Sequence, residues 1–200
     1  IVFDYVSPLG NISDVQLGVP VAINIENGIA AMALAQLSGV SNEDIKTGMA
    51  SFRGVDRRFD FKIKTDKMVY LSDYAHHPEE IKQSILSMRA LYEGKRLTGI
   101  FQPHLYTRTR DFYQEFAESL SLLDEVILTD IYPARELPIE GVSSQLIYDN
   151  LRPDIDKTLC KKEEVIDILK KKEIEVLMTL GAGDIENYAP QICEILNERC

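Results

Sequence analysis

Residues 68–92 read MVYLSDYAHHPEEIKQSILSMRALY, and this stretch decides the fold. Met68 to Ser72 is a short apolar run of strand type. The polar loop Asp73 to His77 ends at Pro78, whose missing N–H costs nothing in a first helical turn. Ile81, Ile85, Met88 and Tyr92 then recur at helical spacing on one face, and Glu79 and Glu80 suit a helix N-terminus by charge. Strand, polar loop and helix together make one unit of an alternating α/β chain.

The same rhythm continues outward. Leu97–Phe101, Glu125–Thr129, Lys157–Cys160 and Glu175–Leu180 read as strands. Asp111–Leu122, Ser143–Leu151, Lys162–Lys172 and a last segment ending near Arg199 read as helices, with Lys170-Lys171-Lys172 a solvated C-terminus. This alternation predicts an α/β fold: a mostly parallel sheet with helices on both faces. Toward the N-terminus, Ile1–Val6 and Val15–Val21 are extended. Asn24 is a plausible N-cap for a helix carrying Ile25, Ile29, Met32 and Leu37, and Ser41 with Asp44 starts a second carrying Ile45, Met49 and Phe52. These two helices read as the last part of one domain, with a joint around Arg53 to Asp60. The chain enters strand-like sequence directly at Ile1, as expected of a piece of a longer protein.

With 22 Lys and Arg against 32 Asp and Glu in 200 residues, the net charge is −10. Such a chain is no general binder of nucleic acid or anionic membrane, so an anionic ligand needs a few locally placed basic groups. Cys160, Cys193 and Cys200 have no metal or CxxC spacing and read as thiols of a reducing compartment. The most apolar stretch, around Ala30 to Leu37, is too short to span a bilayer.

All three histidines follow predicted strands. His76 and His77 come after the first strand of the alternating part, and His104 comes after Leu97–Phe101 in Phe101-Gln102-Pro103-His104-Leu105-Tyr106-Thr107-Arg108-Thr109-Arg110. Loops beyond the carboxyl ends of parallel strands form the ligand crevice of an open α/β sheet. The Thr107–Arg110 run, opening a helix, combines guanidinium groups, hydroxyls and a helix N-terminus, which suits phosphate or carboxylate. Arg57-Arg58 in the joint offers a second basic point, and Gly181-Ala182-Gly183-Asp184 is a glycine turn that a tight turn before the last helix would also explain. Asp73, His76, His77 and Glu80 have the donors of a metal site. No P-loop, GxSxG elbow or cysteine-based zinc pattern occurs. Three readings of the residues remain open: a site for a phosphate- or carboxylate-bearing ligand, a metal hydrolase built on the histidine pair, and a non-catalytic Rossmann-like binding module.

Gly54-x-x-Arg57-Arg58-Phe59, Asp73-Tyr74-Ala75-His76-His77-Pro78-x-Glu80-Ile81, Phe101-Gln102-Pro103-His104-x-Tyr106-Thr107-Arg108-Thr109, Tyr132-Pro133-Ala134-x-Glu136 and Gly181-Ala182-Gly183-Asp184-Ile185 occur in that order. In this the chain resembles, over essentially its whole length, the carboxyl-terminal part of the Mur ligases. The branch it resembles adds L-alanine to UDP-N-acetylmuramate in peptidoglycan precursor synthesis. A related branch recycles a preformed tripeptide onto the same sugar nucleotide.

The resemblance implies that residues 1–53 are the tail of a central ATPase domain and 54–200 a Rossmann-like closing domain. It implies that the P-loop, the Mg2+ ligands and the UDP-sugar domain lie upstream, leaving no metal ligand in this chain and no activity in it alone. It implies ATP-dependent amide formation through an acyl phosphate in the bacterial cytoplasm, with UDP-N-acetylmuramate, L-alanine and ATP as partners and no nucleic acid or membrane. By the same resemblance Asn24 and Asn27 lie near the adenine, Arg58 on the phosphates and Asp73 on the ribose. Tyr74, His76 and Arg108 face the amino acid and the reacting carboxylate, with His104 nearby, and His76 and Arg108 are the catalytic pair. Arg108 would either pair with the alanine carboxylate or stabilise the intermediate's charge. Ile23 stands where the family commonly has a histidine before Asn24.

Overall fold

The structure is a computed structural model that describes residues 1–21 and 23–199, the side chain of Ile23 excepted, so the Ile23 and Cys200 expectations lie outside it. The chain forms two compact units, Ile1–Val55 and Asp56–Cys200.

In the first unit, β1 (Val2–Tyr5) and β2 (Ile12–Gln16) form an antiparallel hairpin beside α1 (Ile23–Leu37) and α2 (Asn42–Ser51). Tyr5, Ile12, Val15, Met32 and Ile45 make its core. Ser41 caps α2 as expected, accepting the Asp44 N–H at 3.1 Å. Asn24 does not cap α1: it lies inside the first turn, and its amide donates back to the Val19 carbonyl at 3.2 Å. The expected Val15–Val21 extension is also displaced, because strand pairing begins at Ile12 and ends at Gln16.

The second unit is a six-stranded sheet in the order β3-β4-β8-β5-β6-β7. Its strands are β3 (Asp60–Lys64), β4 (Val69–Asp73), β5 (Leu97–Phe101), β6 (Glu125–Leu128), β7 (Asp156–Leu159) and β8 (Val176–Leu180). β3 is an antiparallel edge on β4, and every other pairing is parallel. The expected α/β architecture with a mostly parallel sheet is therefore what forms. β5 and β8 are buried along their whole length, as strands covered on both faces must be.

Alternation along the strands sorts the core. Tyr70, Ile100, Ile127 and Leu177 face a layer that includes Val165 and Leu169 of α6 (Val165–Leu169) and Ile192 and Leu196 of α7 (Ala189–Asn197). The opposite face carries α3 (Pro78–Leu91), α4 (Tyr106–Leu120) and α5 (Gln145–Asn150), packed in series. There the Phe101 and Phe116 rings meet at 5.2 Å between centroids.

Three helices depart from expectation. α4 starts at Tyr106 rather than Asp111, so Thr107 to Arg110 form its first turn. α5 is shorter than Ser143–Leu151. The segment expected as one helix over Lys162–Lys172 is a 3₁₀ turn (Lys162–Glu164) followed by α6, which ends before the lysine run. That run is not merely solvated: Lys172 pairs with the buried Glu125 carboxylate, which also accepts a bond from Thr98 at 3.1 Å. Among the described residues no helix is long and apolar enough to cross a membrane.

Phe116 is fully buried against Phe101. Phe116→Ala is expected to lower the unfolding free energy by about 3–5 kcal/mol, read from the urea midpoint at unchanged slope.

Candidate active site

The carboxyl ends of β4, β5, β6 and β8 meet at one rim. Gly181 N–H donates to Asp73 O at 3.1 Å and Gln102 N–H to Leu180 O at 3.1 Å, which extends the ladder past the strands. The β6 loop joins through Tyr132 N–H to Pro103 O at 2.8 Å and Leu105 N–H to Tyr132 O at 3.0 Å.

A continuous series of ring contacts, two edge to face and one stacked, crosses this rim. The Arg57 guanidinium lies 4.7 Å over the Tyr74 ring. Tyr74 meets His76 at 5.2 Å, His76 meets His104 at 6.0 Å, and His104 stacks on Tyr132 at 5.7 Å and 21° between planes. Arg108, half-buried in the first turn of α4, approaches His104 Nδ1 at 3.4 Å. Tyr74, His76, His104 and Arg108 are thus brought together as the sequence pattern implied. His77 is apart from them: it is exposed, N-caps α3 and packs on Phe112 at 5.1 Å.

Each imidazole is held from behind. His76 Nδ1 lies 3.0 Å from the Tyr74 carbonyl oxygen and 3.4 Å from Glu80 Oε2. The same Glu80 oxygen accepts the backbone N–H groups of His76 at 3.0 Å and His77 at 3.2 Å. Glu80 therefore shapes the loop rather than donating to a metal. Among the described residues, no three His, Cys, Asp or Glu side chains converge to hold a cation. The Asp73, His76, His77, Glu80 metal reading is set aside on that geometry. The His104 imidazole is held below the ordinary histidine range, first by burial and then by the charges of Arg108 and His76.

The N-terminus of α4 is not free for a substrate anion. Glu136, from the β6 loop, accepts the Thr107 N–H at 3.0 Å and the Thr107 hydroxyl, and those bonds hold its carboxyl below the usual range. Arg110 is exposed and pairs with Asp111 at 2.7 Å, so of the two arginines only Arg108 serves the rim.

Asp73 sits at the end of β4, where burial raises its carboxyl above the usual range while Ser84 and the backbone N–H groups of Phe59 and Ala75 pull it down. Arg58 is exposed, whereas its neighbour Arg57 turns into the rim and donates to Gly183 O at 3.1 Å. Asn24 and Asn27 belong to the first unit, where Asn27 donates to Asn24 at 3.4 Å.

The glycine turn after β8 is built around protein. Gln102, fully enclosed, donates to Asp184 at 2.8 Å and accepts the Ile185 N–H at 2.9 Å. A Cβ on Gly181, whose φ is +137°, would lie 2.7 Å from the Gln102 carbonyl oxygen. One on Gly183 would lie 2.3 Å from Gln102 Oε1. Asp184 is not a helix cap but pairs with Lys162.

A family profile described as Mur ligase, glutamate ligase domain, matches residues 57–185. The chain belongs to the Mur ligase family. The UDP-N-acetylmuramate–L-alanine ligase of Phocaeicola vulgatus is 77% identical over 199 residues, covering 100% of this Mur ligase chain and 43% of that protein. The ligase of the same name from Parabacteroides distasonis is 60% identical over 196 residues, covering 98% and 42%. The crystal structure of UDP-N-acetylmuramate–alanine ligase from Thermotoga maritima matches with a TM-score of 0.77 at 26% identity, covering 96% of this chain and 41% of that one. The chain therefore spans about 43% of the length of the most similar of these curated Mur ligases.

Sequence reasoning did not single out Gln102, Tyr132 and Glu136 as parts of the site. All three lie within motifs it quoted, but their contacts join segments distant in the chain. Arg108→Gln is expected to raise the pH at which His104 titrates, followed by its imidazole NMR signals, because a neighbouring positive charge is removed.

Proposed function

We propose that the protein containing this chain joins L-alanine to UDP-N-acetylmuramate in the bacterial cytoplasm, hydrolysing ATP to ADP and phosphate with Mg2+ as cofactor. On this reading residues 1–53 close a central ATPase domain, and residues 54–200 are the domain that covers the reacting groups. The P-loop, the Mg2+ ligands and the sugar-nucleotide site belong to upstream sequence, so this chain alone does not catalyse the reaction. What carries the reading is the convergence of His76, His104 and Arg108 on one rim, in a chain 77% identical to a ligase of that name.

ATP supplies the phosphoryl group that activates the muramoyl carboxylate as an acyl phosphate for attack by the alanine amine. Arg108 provides the fixed positive charge at the rim, suited to the alanine carboxylate or to charge developing on the reacting carbonyl. Tyr74 packs beside His76 and is suited to face the incoming amino acid with it. Asp73 is suited to the ribose. A carboxylate offers about four acceptor positions, so bonds from Ser84 and from the Phe59 and Ala75 N–H groups leave it capacity for one hydroxyl. Arg58, exposed and free of a described carboxylate partner, suits the nucleotide phosphates, and Asn24 and Asn27 the adenine.

Turnover of the full-length protein with UDP-N-acetylmuramate and ATP is expected with L-alanine and not with the preformed tripeptide. The opposite preference would move the protein to the recycling branch. Arg108→Ala should reduce kcat/KM by about 10²-fold or more with unchanged circular dichroism, and normal kinetics would remove Arg108 from the site. Asp73→Asn should raise the KM for ATP by about 10-fold while leaving that for L-alanine unchanged, as expected for one lost hydroxyl contact of about 1.4 kcal/mol.

A further inference from the structure

The two rim imidazoles have opposite partners at the same ring position. His76 Nδ1 faces the Tyr74 carbonyl oxygen at 3.0 Å and Glu80 Oε2 at 3.4 Å, and both are acceptors. His76 Nδ1 therefore carries the hydrogen, and in the neutral ring Nε2 carries the lone pair. His104 Nδ1 faces an Arg108 guanidinium nitrogen at 3.4 Å, and a guanidinium only donates. His104 Nδ1 therefore carries the lone pair, and Nε2 carries the hydrogen. Among the described residues neither Nε2 has a hydrogen-bond partner, while the ring centroids lie 6.0 Å apart.

We infer that His76 Nε2 is the proton-accepting atom of the site and His104 Nε2–H its neutral hydrogen-bond donor. This rests on the ligase reading and divides the labour within it. As the alanine nitrogen bonds to the carbonyl carbon of the acyl phosphate, the carbon–oxygen bond to phosphate breaks and phosphate leaves with the electron pair. The surplus proton of the nitrogen passes to His76 Nε2. His104 Nε2–H donates to the carbonyl oxygen while that oxygen bears negative charge.

The surroundings suit both roles. A protonated His76 keeps its Nδ1–H on the Tyr74 carbonyl, with the Glu80 carboxylate 3.4 Å away to stabilise the imidazolium by charge. His104 faces the positive charge of Arg108, the His76 ring, the stacked Tyr132 and the more distant Glu136 carboxylate. Burial and the Arg108 charge outweigh Glu136 and keep the His104 ring neutral. Glu80 is on this account a positioning residue: its carboxylate lies 3.4 Å from His76 Nδ1 and, by accepting two backbone N–H groups, it holds the loop that carries the ring.

The chain has only three histidines, so their side-chain nitrogen-15 signals are separable, each assigned by its His→Gln variant. At pH 8, His76 is expected in the Nδ1–H form and His104 in the Nε2–H form. Finding His76 protonated on Nε2, or His104 protonated on Nδ1, would overturn the assignment. In the full-length enzyme, His76→Gln should lower kcat by about 10²-fold or more with little change in the KM for L-alanine. His104→Gln, which restores an N–H near the Nε2 position, should stay within about 10-fold of the unaltered protein. The reverse order of severity also overturns the inference. If the unaltered full-length protein does not join L-alanine at all, the functional reading fails instead, and the nitrogen spectra still decide the proton placement.

Discussion

The site depends on β8 being threaded between β4 and β5. Parallel neighbours lie about 4.8 Å apart, so loops from β4 and β5, two spacings away from each other, would leave their side chains about 10 Å apart if each rose straight from its strand. The His76 and His104 rings nevertheless meet at 6.0 Å. The segment above β8 permits this, because Gly181, Ala182 and Gly183 carry no side chain larger than a methyl group. Backbone bonds from Gly181 to Asp73 and from Gln102 to Leu180 hold that segment down, and Gln102 fills the space beneath its glycines. Fold and site are joined at this point, since a bulky residue there would separate the two halves of the rim.

An acidic chain of net charge −10 places two guanidinium groups, Arg57 and Arg108, at this rim. Arg57 is spent on structure, stacked on Tyr74 and bonded to Gly183 O, with its Nε 4.0 Å from Glu186. Arg108 is spent on His104 and whatever lies before it. Arg57 stands at one end of the series of rings and Arg108 beside His104, the third ring, so each helps fix an aromatic group that touches the next. Preorganisation of this kind is what makes a few polar groups effective where charge develops.

Local pattern carried much of this into the sequence. Four of the five parallel strands announced themselves as short apolar runs, and Pro78 marked the start of α3 to the residue. β3 escaped notice because Lys62 and Lys64 alternate with Phe61 and Ile63 beside the presumed hinge, the pattern of a charged edge strand with one buried face. The start of α4 was misread for a different reason. Leu105 supplies no capping side chain and has φ +75°, so the usual local signal is missing. The acceptor for that helix end is Glu136, which arrives from another loop. Lys172 on Glu125 and Gln102 in the glycine turn were hidden likewise, as bonds between segments far apart in the chain. Motifs identified which residues matter, but only the folded sheet decides which of their atoms meet.

The carboxylate of Glu136 ties a loop to a helix. The segment between β6 and α5 contains no helix, yet it holds the first turn of α4 through Thr107 and lays Tyr132 against His104. Lifting that loop would strip an acceptor from the helix end and a neighbour from the imidazole in one motion. The loop and the beginning of α4 therefore share one tether, so loosening either would weaken the support of both His104 and Arg108.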